Sequence, residues 1–403
     1  MSRPTIVTLV IFCAYFMLGH VSLVWGVILP AMSTELAMSK VFSGTFFMVF
    51  SLGMVGGAFL GGKYITRFPF LRLFSVLSLI LTLLLSLISV VNSANWLLLG
   101  GALAGVFSSV MFTIGHTLVA ALHAKRRVTM MGLGDFTFSF GTMVVPGLIT
   151  LLYGLDLDWR WSLRVIATFL ILLAIASWWA QQFLPDTLME GSGESDGQQG
   201  GFIALLKIPL FLAMAMAMLG YGAIEWGNGN WFVSYAQDGL GFDGDTARQA
   251  FMYFTGGMVI SRLGFIILLR WVNIRLLMTL MAILCGVGGF MLKFSQSIHG
   301  LELGNGLLGL GLGGLFPMLL SQAMGEAQHK GPLLSGTAVI SVSFGAQAFS
   351  FLTGWLAQMI GLDNAFWTMP VGALWLCAAV LTFCWLLARA RRQPEPLISP
   401  TET

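Results

Sequence analysis

The residues with the most chemistry to offer lie inside an apolar run. The stretch from Leu219 to Trp231 holds Tyr221, Glu225, Trp226, Asn228 and Asn230 in a segment long and greasy enough to cross a bilayer. An acid at that depth is costly, and by default it faces a cavity or a partner rather than lipid. Burial disfavours the charged carboxylate. Glu225 is therefore expected to bind a proton, or to hold a solute directly. Asn228 and Asn230 supply both donors and acceptors. Tyr221, Trp226 and, near the chain start, Trp25 supply flat apolar faces with a polar handle. Together these residue types suit the binding of a small organic solute. The interleaved Gly220, Gly222, Gly227 and Gly229 predict a loosened helix whose freed backbone lines a cavity. Trp231 is expected in the interfacial belt.

The same phrase occurs earlier, as Leu18-Gly19-His20 through Trp25-Gly26. Aligned without gaps, Leu-Gly meets Leu-Gly and Trp-Gly meets Trp-Gly. His20 then stands opposite Tyr221, and Val24 opposite Glu225. Histidine titrates near neutrality, which makes His20 a second candidate for solute binding or proton coupling. Gln347, two residues after Gly345, is a further candidate for the cavity wall. Asp135 and Arg262 fall near the ends of their spans and read as gating or structural ion-pair residues. His116, near the end of its own span, is another titratable candidate.

The elements that must position these groups are apolar helices. Of 403 residues, 57% are hydrophobic and 9% charged, against about 25% charged in a soluble protein. A net charge of +3 gives no footprint for nucleic acid. The four cysteines lie within apolar runs without metal-ligand spacing and read as reduced packing residues. The run Gly309–Gly314 lacks the Gly-Lys-Ser/Thr ending of a phosphate loop. No enzyme signature and no cofactor site are expected.

At about 20 residues per span, about twelve spans emerge. The first half gives Ile6–Pro30, Val41–Gly62, Leu71–Val91, Trp96–Leu122, Met131–Tyr153 and Ser162–Leu184. The second gives Ile208–Tyr235, Ala247–Leu269, Leu276–Phe294, Leu301–Met324, Leu334–Ile360 and Phe366–Ala388. The first run continues into the fold and is expected to remain as a span rather than be removed as a signal. The expected organisation is a six-helix bundle over 1–184, a linker over 185–206, a second bundle over 207–390 and a disordered tail over 391–403. The polar, Gly/Ser-rich composition from Pro185 to Gly201 supports the linker.

The halves also repeat in sequence. Phe50–Val55 resembles Phe254–Val259, Ala104-Gly105 to Phe112-Thr113 can be laid over Leu308-Gly309 to Phe316-Pro317, and Ser139-Phe140-Gly141 matches Ser343-Phe344-Gly345. These matches keep nearly one offset. Gly53, Gly57 and Gly61 share a helix face, which permits close helix approach as static packing or as a sliding contact. Lys63, Arg67, Arg72, Lys125, Arg126, Arg127 and Lys207 all fall in loops on one side. The positive-inside rule makes that side, and both termini, cytoplasmic.

This pattern resembles the major facilitator superfamily across essentially the whole chain. The resemblance implies an all-α integral membrane protein of 12 transmembrane helices in two pseudo-symmetric six-helix bundles. That family's loop hallmark runs Gly, three residues, Asp, Arg, then Gly and basic residues. Gly62 and Arg67 match it, and Thr66 stands where the family has its Asp. The match implies a gating role for Arg67. The phrases Asp135–Gly141 through Pro146 and Glu225 through Phe232 are most similar to the fucose:proton-symporter-like sugar permeases. In that branch, acids in the first and fourth helices serve coupling and sugar binding; this chain has His20 and His116 in those helices instead. Pro146-Gly147 is a partial match to the Gly-Pro signature of drug:proton antiporters.

The expected function is secondary active transport of a small organic solute by alternating access, as proton-coupled uptake of a sugar-like neutral solute. A drug or metabolite exporter on the same fold is the alternative. A membrane sensor without transport is a third. Expected partners are the solute, protons and the bilayer of the cell membrane, with the chain acting as a monomer.

Overall fold

A computed structural model describes residues 3–123, 126–184, 201–327 and 331–392. Among these residues all regular structure is helical. Twelve helices are long and apolar enough to cross a membrane. In chain order they are α1 (Arg3–Glu35), α2 (Lys40–Gly61), α3 (Phe70–Ile88), α4 (Ala94–Leu122), α5 (Met130–Gly154), α6 (Arg160–Phe183), α7 (Pro209–Gly239), α8 (Gly244–Leu268), α9 (Ile274–Phe294), α10 (Ile298–Glu326), α11 (Leu333–Ile360) and α12 (Leu362–Arg391). The linker residues 185–200 and the tail residues 393–403 lie outside the described residues. The linker's end is a short helix, Gly201–Leu206.

Short polar caps start several spans. The Ser39 hydroxyl accepts from the Phe42 N–H at 3.1 Å ahead of α2, and the Asp243 carboxylate accepts from the Thr246 N–H at 2.9 Å ahead of α8. Each satisfies one of the amides that a helix start leaves without a partner. Ser39 and Asp243 are 204 residues apart, the offset already visible in the repeated phrases.

The same offset governs packing. α2 lies on α4, and α8 on α10. A Cβ on Gly53 would strike the Ala102 carbonyl, and one on Gly257 the Gly306 carbonyl. Gly105 and Gly309 likewise sit on the carbonyls of Phe50 and Phe254. These contacts are backbone on backbone within one bundle, the static form of small-residue packing. At one crossing the contact is mirrored with its partners exchanged. Gly57 faces the Cβ of Ser109 in the first bundle, and Ser261 offers its Cβ to Gly313 in the second.

Polar and tightly packed residues are gathered on α1, α2, α4, α5, α7, α8, α10 and α11. α3 pairs with α6, and α9 with α12. These four keep large apolar side chains outward, among them Leu83, Ile175, Val287 and Trp385, as surfaces toward acyl chains require.

The bundles meet along α1–α7, α2–α11 and α5–α8. We call the end where α1 gives way to α2 the Glu35 end, and the opposite one the Arg67 end. Contact between bundles is closest at the Glu35 end. There Lys40 is ion-paired with Asp238, the Lys40 N–H donates to Gln358 at 3.2 Å, and Arg248 donates to Thr150 at 2.9 Å. A Cβ on Gly26 of α1 would strike the Gly229 carbonyl of α7, and one on Gly354 of α11 would lie 2.6 Å from the Lys40 carbonyl.

Candidate functional site

Glu225 lies midway along α7 with a fifth of its side chain exposed. Its Oε1 is 3.5 Å from Nη2 of Arg262 on α8. The Tyr221 hydroxyl, one turn earlier on α7, lies near both the carboxylate and the guanidinium. Residues 221 and 225 are one helical turn apart, so they share a face. Arg262 reaches that face from the neighbouring helix of the same bundle.

The other side of Arg262 grips the opposite bundle. Its Nη1 donates to the Asp135 carbonyl at 3.0 Å and to the Ser139 hydroxyl, both on α5. The Asp135 carboxylate looks elsewhere, toward His116 Nε2 of α4 at 3.7 Å. His116 stacks on Phe112 and lies beside Tyr15. Asp135 and Arg262 thus meet through the Asp135 main chain, while the acid that pairs with Arg262 is Glu225. Arg67 belongs to the short turn Ile65–Arg67, with its guanidinium 5.0 Å from the centre of the Tyr64 ring.

On the α2–α11 side a cleft of about 170 Å³ separates the bundles. Trp226, the residue after Glu225, forms one wall with Phe316 of α10. Met54 of α2 and Val339, Val342 and Ala346 of α11 complete the apolar lining, and Ser51 and Ser343 add hydroxyls. Phe316 is presented by a break in α10. The helix runs Ile298–Leu312 and resumes at Leu315–Glu326. Pro317 has no N–H to give the Gly313 carbonyl, so the ladder cannot continue unbroken there. Gln347 follows Ala346 and is half-buried.

The remaining sequence candidates take structural positions. His20 is buried and its Nδ1–H donates to the Phe16 carbonyl at 2.9 Å, which leaves Nε2 as its acceptor nitrogen when neutral. Asn228 is fully buried and donates to Asn305 of α10 at 2.9 Å. Asn230 donates to the Ser350 hydroxyl of α11 at 2.9 Å. Trp25 is buried edge-on against Phe46. Two expectations are corrected. Trp231 is not interfacial: it is fully buried and its Nε1–H donates to the Ser350 carbonyl at 2.9 Å. Nor is the glycine-laced stretch loosened. α-Helix is continuous over Pro209–Ser234, because neighbouring backbones and side chains fill the space beside its glycines. Only Tyr235–Gly239 widens, into a π-turn that carries Asp238 toward Lys40.

A second hollow, about 350 Å³, lies beyond the Gly26–Gly229 contact at the Glu35 end. Its walls include Glu35, Tyr153, Asp238 and Arg248.

Sequence reading missed the Glu225–Arg262 pairing and the roles of Phe316 and Ser343 in the cleft. Phe316 and Ser343 do fall inside the repeated phrases, opposite Phe112 and Ser139, so the repeat carried a signal for both.

Two duplicated six-helix bundles enclosing a cleft and a polar pair define a helical membrane-transporter fold. The profile of the Major Facilitator Superfamily matches residues 7–346. The chain belongs to that superfamily. Among solved structures it is similar to the nucleoside transporter NupG, at TM-score 0.74 and 12% identity, covering 96% of this chain and 100% of that one. It is also similar to a bacterial homolog of the human lysosomal transporter Spinster in an inward-facing, unoccupied conformation. That match has TM-score 0.71 and 14% identity, and covers 99% of both chains. Identities this low speak for the fold alone. No curated protein sequence matches the chain.

Proposed function

We propose that the protein is a secondary active carrier that couples movement of a small neutral organic solute to protons, with Glu225 as the coupling acid. The observation that carries this reading is the pairing of the deep Glu225 carboxylate with Arg262, the same arginine that bonds α5 of the other bundle. Arg262 holds an acid of its own bundle with one edge and α5 of the other bundle with the rest. Protonating Glu225 removes the carboxylate's charge and weakens its hold on Arg262. The bundle contact at Ser139 and Asp135 thereby responds to the proton. A bare carboxylate in an occluded cavity would cost several kcal/mol, roughly, without a partner. Either Arg262 or a proton can meet that need, and alternation between them ties bundle motion to the gradient.

The basic loops put the Arg67 end in the cytoplasm. Tight contact at the Glu35 end then corresponds to a carrier closed to the outside. A solute with sugar-like hydroxyls remains the first choice for uptake. Export of an apolar solute by proton antiport is the second reading, favoured by the apolar cleft lining.

The test is Glu225→Gln in reconstituted vesicles. Uphill accumulation should fall at least about tenfold while solute counterflow persists. Undiminished uphill uptake in the variant would remove Glu225 from coupling. Under the export reading, the same gradient should drive loss of solute rather than gain.

A further inference from the structure

We infer that the solute carries a flat aromatic ring, seated in the cleft against the wall formed by Trp226 and Phe316, with any hydroxylated portion outside that slot, the chemistry of a nucleoside. This rests on the carrier reading for its transport half, but the ring slot stands on geometry of its own.

The slot is poor in hydrogen-bonding groups. Among the described residues lining it, Ser51 and Ser343 are the only hydroxyl-bearing side chains, with the Trp226 indole N–H as the one other polar group. A sugar ring buried there would strip water from several hydroxyls and find at most three side-chain partners. Each unmatched hydroxyl costs free energy on burial. A flat heterocycle has little to lose on its faces, and its edge can use the two serines. Trp226 and Phe316 supply the complementary surface, since aromatic faces stack on any π-system regardless of its exact substituents. Met54 opposite adds a soft, adaptable side chain suited to ring contacts.

Size points the same way. At about 170 Å³ the slot is below the 300–1,000 Å³ range of sites that swallow a drug-sized molecule. It encloses one part of a solute, not all of one.

The slot is also wired to the polar pair. Phe316 packs on the Tyr221 ring with centroids 5.9 Å apart. The hydroxyl of that tyrosine lies near Glu225 and Arg262. Trp226 adjoins Glu225 in the chain. A ring held against Trp226 and Phe316 presses on the residue next to the coupling acid and on the ring that packs on Tyr221, so occupancy and protonation share a wall.

The experiment splits a nucleoside into its parts. Equilibrium binding of labelled uridine to the purified full-length protein is measured, with uracil and ribose as competitors, and counterflow of uridine and ribose is followed in vesicles. Uracil should displace uridine at a concentration at least about tenfold below that needed for ribose. Trp226→Ala should weaken uridine binding about tenfold, and Trp226→Phe should recover most of it. Thermal unfolding of both variants shows whether the fold is kept. Ribose competing as well as uracil, uridine failing to bind, or binding that ignores Trp226→Ala would each overturn the ring slot. Ribose counterflow with no uridine binding would leave the carrier standing and the ring slot refuted. Trp226-dependent uridine binding without any flux would do the reverse.

Discussion

The two outer seams between the bundles, α5–α8 and α2–α11, are equivalent by the repeat and differ in what holds them. On α5–α8, Arg248 donates to Thr150 near the Glu35 end and Arg262 donates to Ser139 farther along. At the same 204-residue offset the α2–α11 seam has Gly44 against Gly354 and, farther along, Ala58 and Ser343. At these positions two arginine bridges on one side correspond to one glycine contact and one gap on the other, where the Lys40–Gln358 hydrogen bond ties only the Glu35 end. That gap is the cleft, with Ser343 in its wall. Duplication supplies two seams of the same shape; side-chain choice determines which stays stitched and which can part. Glu225 sits by the stitched seam, where a change of charge is felt across the bundles.

Removing the stitch should have the largest effect. Arg262→Ala leaves the Glu225 carboxylate without its cation and gives α8 an alanine where α2 has Ala58. The half-screened setting of both partners puts the loss at about 3 kcal/mol, the low end for a broken buried pair. A double variant with Glu225→Gln should regain most of that in thermal unfolding. A double variant no more stable than the single would break the assignment of Arg262 to Glu225.

The next largest effect should come from the unstitched seam. Gly354→Ala places a methyl 2.6 Å from the Lys40 carbonyl and 2.9 Å from the Trp231 ring. The Lys40 carbonyl is backbone of α2, so relief there parts α11 from α2. The variant should shift the carrier toward the form open at the Glu35 end, with little loss of stability in that form. Increased labelling of a cysteine introduced at Val27 measures the shift. Thr150→Ala on the other seam removes one acceptor of Arg248 and should shift labelling less. Equal shifts would mean that the seams are not different in kind.

The smallest effect concerns the caps. Asp243→Ala should cost about 1 kcal/mol, and Asp243→Ser, which copies the Ser39 cap of α2, should cost little. Hydrogen bonds from Thr246 hold the Asp243 carboxyl below its usual range. A carboxylate so depressed adds stability above the ordinary Asp value of about 3.9 and loses it as pH falls through the folded value. The wild type should therefore lose thermal stability on acidification by slightly more than Asp243→Ser does.

Much of the architecture was legible because lipid leaves few choices. Every span must be long, apolar and internally hydrogen-bonded, so each of the twelve observed helices overlaps its expected range, with ends shifted by a few residues. The repeat was legible because close helix crossings demand small residues at fixed spacing. Side-chain partners were harder. Glu225 announced itself as an acid at depth, yet its link to Arg262, 37 residues on, depends on the rotation of two helices about their axes. Composition carries no trace of that angle. Trp231 misled for a related reason: position in the chain favoured the membrane surface, while the Ser350 carbonyl gave the indole N–H a partner inside. The glycines of α7 suggested looseness, but they are where other backbones and side chains press in.

The exchanged pair at the α2–α4 and α8–α10 crossings has a consequence of its own. Gly57 with Ser109, and Ser261 with Gly313, each furnish a single hydroxymethyl to a notch one side chain wide. Two serines would overfill it and two glycines would leave a hole. A Cβ on Gly57 would also lie 2.3 Å from the Val106 carbonyl, so the first crossing is closed by backbone as well, and a Gly57→Ser lesion should persist in the presence of Ser109→Gly.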